Sequence, residues 1–259
     1  MRKINWKKIK GFIFDLDGVV YRGSKPIESA VKKINELLKN NYKVTFLTNN
    51  STKSQKEFAK KIIKCGIDIN SKFIITTSVA TANFVSKKYK KGSNIYVVGS
   101  KALKNEIKIK KFKISKKNVK AVVAGLDTNI NYKKITEASN ILRSGKLLVA
   151  TNPDKILPNE KGFQPGAGSI IQSIIEATGP KIKKIFIGKP NTFLIKEALK
   201  VMKLNKENVV LVGDQLETDI LAAKNFKMKS ILVETGVPNT SKKIKATLKL
   251  KNLKNLLIK

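Results

Sequence analysis

The chain contains no histidine, one cysteine and only three arginines in 259 residues, and each shortage closes a class of chemistry. Without histidine there is no Ser-His-Asp or Cys-His catalysis and no His-ligated zinc. A lone Cys65 excludes an intramolecular disulfide and suits a reducing compartment, so a cytoplasmic location is expected. Near a helix end, Cys65 reads as a small buried hydrophobe. Long apolar runs are also missing. No stretch approaches the roughly 20 residues that span a bilayer, so no membrane partner is expected. The basic opening MRKINWKKIKGFIF has an apolar run that stops at Asp15, too short for a secretory signal.

The scarcity of arginine decides how the charge is read. The chain carries 54 basic against 18 acidic residues, a formal net charge of +36, and all but three of the basic residues are lysine. The lysines run through every segment beside abundant asparagine and isoleucine, a pattern of compositional bias. Sequence-specific nucleic-acid readers favour arginine for bidentate base contacts and interleave aromatics, and neither feature occurs. Charge of this kind implies a salt-sensitive attraction to polyanions, without a specific nucleic-acid partner.

Acids are few, yet they gather. Of the seven aspartates (15, 17, 68, 127, 154, 214 and 219), four lie in FDLDG and GDQLETD, and each segment directly follows a strand-like apolar run. In an open parallel sheet, ligands bind at the carboxyl ends of strands. Converging carboxylates repel one another unless a cation sits among them, and an oxygen-only set suits Mg²⁺.

Apolar runs alternate with helical periodicity. IKGFIFDLD, YKVTFLTNN and FIITTS read as strands, separated by helices over Ser29 to Asn40, Gln55 to Lys64 and Val79 to Tyr89. Later come KKIFIGKP, a helix from Thr192 to Met202, NVVLVGDQ, a helix from Leu216 to Asn225, and KSILVETG, then a lysine-rich tail from Ser241. Strands apolar on both faces and separated by helices predict a parallel sheet covered on both sides. Between them, NIYVVGS, VKAVVAGLD, a helix from Tyr132 to Arg143, KLLVATNPD and a helix after PGAGS form a second α/β set. The expected organisation is thus a Rossmann-like parallel-sheet core over 1–90 and 183–259, with a smaller α/β domain inserted at 91–182.

Four strand ends carry chemistry. Asp15 and Asp17, two apart, would share one face in regular β geometry, and Gly18 permits the chain to turn directly after them. Thr48, Asn49 and Asn50 offer neutral donors. Lys189 is set between Gly188 and Pro190, and Asp214 is followed about one helical turn later by Asp219. A nucleophile, an acid, neutral donors, a cation and a metal ligand together make a kit for covalent phosphoryl transfer.

In this order the segments closely resemble the haloacid dehalogenase superfamily of phosphatases. FDLDGVV looks like its first motif, FLTNN its second, GKP its third and VGDQLETD its fourth. The inserted domain resembles the superfamily's type-2 cap, and ATNPD and PGAGSI are similar to cap segments of the NagD-like and 4-nitrophenyl phosphatase subfamily. The resemblance implies Asp15 as nucleophile and Asp17 as general acid, its pKa raised by a partly buried position. It implies Mg²⁺ on the Asp15 carboxylate, the Asp17 carbonyl and the Asp214 carboxylate, with Asp219 behind the metal or its water. Thr48, Asn49 and Lys189 would bind the phosphoryl oxygens. In haloacid dehalogenases proper the second aspartate is not kept as an acid, so Asp17 favours phosphate esters over halides.

The activity so implied is a Mg²⁺-dependent phosphatase acting on a small phosphorylated metabolite. A phosphotransferase or mutase on the same core usually carries a helical cap right after the first motif, and only about thirty residues separate Asp17 from Thr48. A non-catalytic polyanion or RNA binder would not need both Asp15 and Asp17. Asn152 and Asp154 are candidate substrate selectors, and the amides opening PGAGSI could face an anion. Tyr21 and Arg22 could flank the entrance. By analogy, a cap of this type supports a homodimer.

Overall fold

In the computed structural model, which describes residues 4–159, 162–238 and 243–257, the chain divides into two compact α/β units. The first comprises residues 1–48, 55–75 and 189–259. The strands of its sheet stand in the order Leu248–Leu250, Lys229–Val233, Val209–Gly213, Gly11–Asp15, Lys43–Thr48 and Ile74–Thr76. Gly11–Asp15 runs parallel to both neighbours, with Phe14 opposite Val212 on one side and Asp15 opposite Leu47 on the other. Asp15, Thr48 and Asp214 therefore close three adjacent strands at one edge, where the chain order reverses direction across the sheet and ligands are expected to bind.

Both faces of this sheet are covered, which is why Gly11–Asp15 is buried along its whole length. Helix Glu28–Lys39 turns Ala30, Ile34 and Leu37 inward at helical spacing. Helix Gln55–Lys64 buries Phe58, Ala59 and Ile62 and is stopped as expected by Gly66, whose φ of 90° a side chain would resist. Cys65 is half-buried against the same core. The expected lysine-rich tail contributes the edge strand Leu248–Leu250, while residues 241–242 and 258–259 of that tail lie outside the described residues.

The second unit comprises residues 49–54 and 76–188. Its sheet is also parallel, in the order Lys184–Phe186, Leu147–Ala150, Val119–Ala124, Asn94–Val98 and Lys113–Ile114. Helices Tyr132–Arg143 and Ala167–Thr178 pack on one face. A two-stranded antiparallel hairpin, Ile156–Asn159 with Gly162–Pro165, precedes the second of them.

Two expectations need correction here. Helix Thr77–Lys88, expected in the 1–90 set, packs on helix Lys101–Ile109 and strand Leu147–Ala150 of the second unit. KKIFIGKP was expected as a core strand, yet Lys184–Phe186 pairs with Leu147–Ala150. An apolar run reports burial but not which of two sheets buries it. Among the described residues no helix is long and apolar enough to cross a membrane.

Candidate active site

The turn after Gly11–Asp15 is tightly held. The Leu16 carbonyl accepts from the amides of Val20 at 2.8 Å and of Val19 and Tyr21 at 3.3 Å, and the Gly18 amide donates to the Tyr21 carbonyl at 2.8 Å. Gly18 has φ of 83°, and a Cβ there would overlap the Asp214 carboxylate, so only glycine fits. The turn buries Asp15 and leaves Asp17 exposed. The expected partial burial of Asp17 is therefore wrong, and burial cannot be what prepares it as an acid.

Asp15, Asp214 and Asp219 converge, each buried, with one carboxylate oxygen from each within 4.8 Å of the other two. Asp219 arrives by an irregular route. Residues Leu216–Ile220 form one wide turn, with the Ile220 amide reaching the Gln215 carbonyl at 3.2 Å, before the regular helix Leu221–Asn225 begins. Such π-turns often mark functional sites. The expected single helix over 216–225 is thus split. Asp219 accepts from the Gln215 amide at 3.2 Å and the Thr218 hydroxyl at 3.4 Å. Neither partner was singled out in the sequence.

Lys189 follows Gly188 and is linked to Pro190 by a cis peptide. Its ammonium is buried and lies 2.7 Å from Asp15 Oδ1 and 2.6 Å from Asp219 Oδ1. Burial alone would drain its charge, but the flanking carboxylates outweigh that and hold it protonated. Burial is also the largest influence on Asp15, followed by Asp219, and its carboxyl is held well above the usual range despite Lys189. Asp214 is pushed up to about 7, chiefly by burial and then by Asp219. Three carboxylates against one ammonium leave two unbalanced negative charges when all are ionised. The donors are all oxygen, and Cys65, the only thiol, is not among them. This set fits a hard divalent cation and not a thiolate- or imidazole-seeking metal.

A third strand exit, unremarked in the sequence, completes the surroundings. After Lys229–Val233, the Thr235 hydroxyl donates to the Gly18 carbonyl at 2.7 Å, and the Val237 amide donates to Asp214 Oδ2 at 3.2 Å. A Cβ at Gly236 would overlap the Asp214 carboxylate. The available signal was a Thr-Gly pair one residue beyond an apolar run. Thr48 is buried at the end of the strand beside Asp15.

Asn49, Asn152 and Asp154 come together in the second unit. The Asn152 amide donates to the Asn49 carbonyl at 2.7 Å, the Thr77 hydroxyl donates to the same carbonyl at 2.6 Å, and Asn49 Nδ2 lies 3.1 and 3.2 Å from the two Asp154 oxygens. Gly166 and Gly168 admit the 153–155 backbone at close range, and the Gly168 amide donates to the Asp154 carbonyl at 2.8 Å. Of the amides opening PGAGSI that were expected to face an anion, the Gly168 amide is thus spent on the chain itself. Tyr21 is fully buried, not at an entrance, and exposed Arg22 donates to the Thr235 carbonyl.

Residues 12–113 match the family described as haloacid dehalogenase-like hydrolase, and residues 186–256 match a second HAD hydrolase-like description. The acid sugar phosphatase of Staphylococcus haemolyticus is 36% identical over 234 residues, covering 89% of this chain and 87% of that protein. The chain belongs to the haloacid dehalogenase-like hydrolases. Within this family the 5'-nucleotidase YutF of Bacillus subtilis is 33% identical, covering 89% of both chains. A solved double mutant of the thermostable NPPase from Geobacillus stearothermophilus superposes with a TM-score of 0.91 at 35% identity, covering 97% of this chain and 99% of that one. The HAD resemblance drawn from the four motifs and the expected fold class are both borne out.

Proposed function

We propose that this HAD hydrolase is a phosphatase that cleaves small phosphate monoesters through an aspartyl-phosphate on Asp15. The observation that carries the reading is the buried grouping of Asp15, Asp214 and Asp219 around the Lys189 ammonium. An Asp15 carboxylate oxygen attacks phosphorus as the bond to the alcohol oxygen breaks. Asp17, exposed beside the turn, gives its proton to the departing oxygen. It then takes a proton from a water that attacks the acyl phosphate, which releases phosphate and restores Asp15.

Lys189 and Thr48 bind the phosphoryl oxygens. Lys189 stays charged because Asp15 and Asp219 flank it, and Asp219 fixes it at 2.6 Å. Mg²⁺ would be held by the Asp15 and Asp214 carboxylates and the Asp17 carbonyl, with Asp219 alongside. When bound it would neutralise charge on the nucleophile and the transferring group.

The named activities of the relatives span sugar phosphates and nucleotides. That spread is expected if the first unit handles only the phosphoryl group and the second unit, as cap, reads the alcohol. The substrate class proposed here is accordingly a phosphorylated sugar or nucleotide of the cytoplasm. The test is turnover of an aryl phosphate, a sugar phosphate and a nucleoside monophosphate with and without Mg²⁺, for wild type and Asp15→Asn. The variant should lose at least about a thousandfold in kcat while keeping its melting temperature within a few degrees. Retained turnover in a clean preparation excludes the aspartyl-phosphate route.

A further inference from the structure

The strand Lys229–Val233 does not touch Gly11–Asp15; Val209–Gly213 lies between them. Its exit nevertheless reaches the segments that follow both of those strands. Thr235 Oγ1 donates to the Gly18 carbonyl at 2.7 Å, one residue past Asp17, and the Val237 amide donates to Asp214 Oδ2 at 3.2 Å. Between these two bonds sits Gly236. A Cβ there would strike the Asp214 carboxylate, and a Cβ on Gly18 would strike the same carboxylate and stand 3.0 Å from Gly236 Cα. Gly18, Asp214 and Gly236 thus interlock with no room for a methyl group on either glycine.

The segment is itself anchored at both sides. The Glu234 amide donates to the Leu250 carbonyl at 3.1 Å, and Arg22 Nε donates to the Thr235 carbonyl. None of the Thr235 side-chain bonding belongs to the strand ladder. Its hydroxyl does one thing: it fixes the Gly18 carbonyl. The Gly18 amide is already fixed on Tyr21, so both peptide groups of Gly18 are held, and one of them is the peptide whose carbonyl belongs to Asp17.

We propose that Thr235 is a positioning residue that sets the Asp17–Gly18 turn against Asp214, so that one short segment aligns two of the groups assigned to the cation. The inference rests on the phosphatase reading only for its kinetic consequence. Its geometric content is tested by Mg²⁺ alone. Removing an outer hydrogen bond that orients a ligand typically weakens metal affinity or activity 10–100-fold.

The experiment compares wild type, Thr235→Val and Thr235→Ser by isothermal titration with Mg²⁺ in the absence of substrate, then by Mg²⁺-dependent turnover. Thr235→Val keeps the shape and removes the hydroxyl; Thr235→Ser keeps the hydroxyl. Thr235→Val should weaken Mg²⁺ binding about tenfold and lower kcat, with KM at saturating Mg²⁺ within about threefold, while Thr235→Ser stays near wild type. If Thr235→Val does not yield folded protein, Thr235→Ala against Thr235→Ser makes the same comparison. Equal Mg²⁺ affinity in the hydroxyl-bearing and hydroxyl-free forms overturns the assignment. Wild-type protein that binds Mg²⁺ but turns over no phosphate ester overturns the phosphatase reading instead, and the titration still decides on Thr235.

Discussion

Removing an acidic group from the site should make the metal-free protein more stable, and Asp214→Asn measures by how much. In the fold, burial and then Asp219 push the Asp214 carboxyl up to about 7, against 3.8 for an ordinary aspartate. The folded state therefore holds a proton that the unfolded state has released, so stability falls as pH rises from about 4 to 8. At pH 8 the difference amounts to about 4 kcal/mol. Asparagine is nearly isosteric and can still accept the Val237 amide that bonds Asp214 Oδ2 at 3.2 Å, but it cannot ionise. In EDTA at pH 8 the variant should melt above wild type by roughly 8–16 °C, and at pH 4 the two should nearly coincide. Millimolar Mg²⁺ should reverse the order, because it stabilises wild type by binding the folded state and finds one carboxylate fewer in the variant. Differential scanning calorimetry across pH, with and without Mg²⁺, provides the assay. A variant less stable than wild type in EDTA at pH 8 would refute the claim that these crowded, buried carboxylates repel one another when no cation is supplied.

Three further outcomes are expected from particular contacts. Lys189→Ala should lower kcat/KM by at least about a hundredfold, whereas Lys200→Ala on the exposed face of helix Phe193–Met202 should change it less than twofold; equal losses would mean that general positive charge suffices. Asn152→Ala removes a 2.7 Å bond to the Asn49 carbonyl and should cost about 1–2 kcal/mol with a uniform drop across substrates. A changed substrate ranking with unchanged stability would instead support the selector role expected of Asn152. Thr45→Val, at a fully buried position of strand Lys43–Thr48, replaces a hydroxyl with no hydrogen-bond partner among the described residues and should stabilise by about 1 kcal/mol; destabilisation in urea melts would show that the hydroxyl is satisfied in solution.

Much of the site could be read from local pattern alone. Asp15 and Asp214 each end an apolar run, and a strand end is a local property that periodicity reports. Helix Tyr132–Arg143 matched its expected bounds because its apolar stripe is regular and Asn131 caps it, accepting from the Lys134 amide. What escaped depends on contacts between distant segments. Nothing in KKIF says that it pairs with Leu147–Ala150. Nothing in LETDI says that its first turn widens to place Asp219 against Lys189. Asp17 was expected partly buried, yet the tight turn that follows Asp15 leaves it exposed. Asn152 and Asp154, expected as substrate selectors, also bond a distant backbone carbonyl and side chain, contacts that their local sequence does not announce.

The boundary between the units falls after Thr48 and before Lys189. The two residues assigned to the phosphoryl oxygens are therefore the last and first residues of the catalytic unit at two of its junctions. For engineering, this places splice points flush against the chemistry. Residues 76–188 form a cassette whose replacement by the matching stretch of a relative would leave every carboxylate of the site in place. It would also transplant Gly188, a position where a Cβ would crowd Asn49, Asn152 and Thr151. A graft that omits the 49–54 segment would separate Asn49 from the Asn152 and Asp154 partners it was matched to. New specificities should accordingly be recruited by exchanging both segments together.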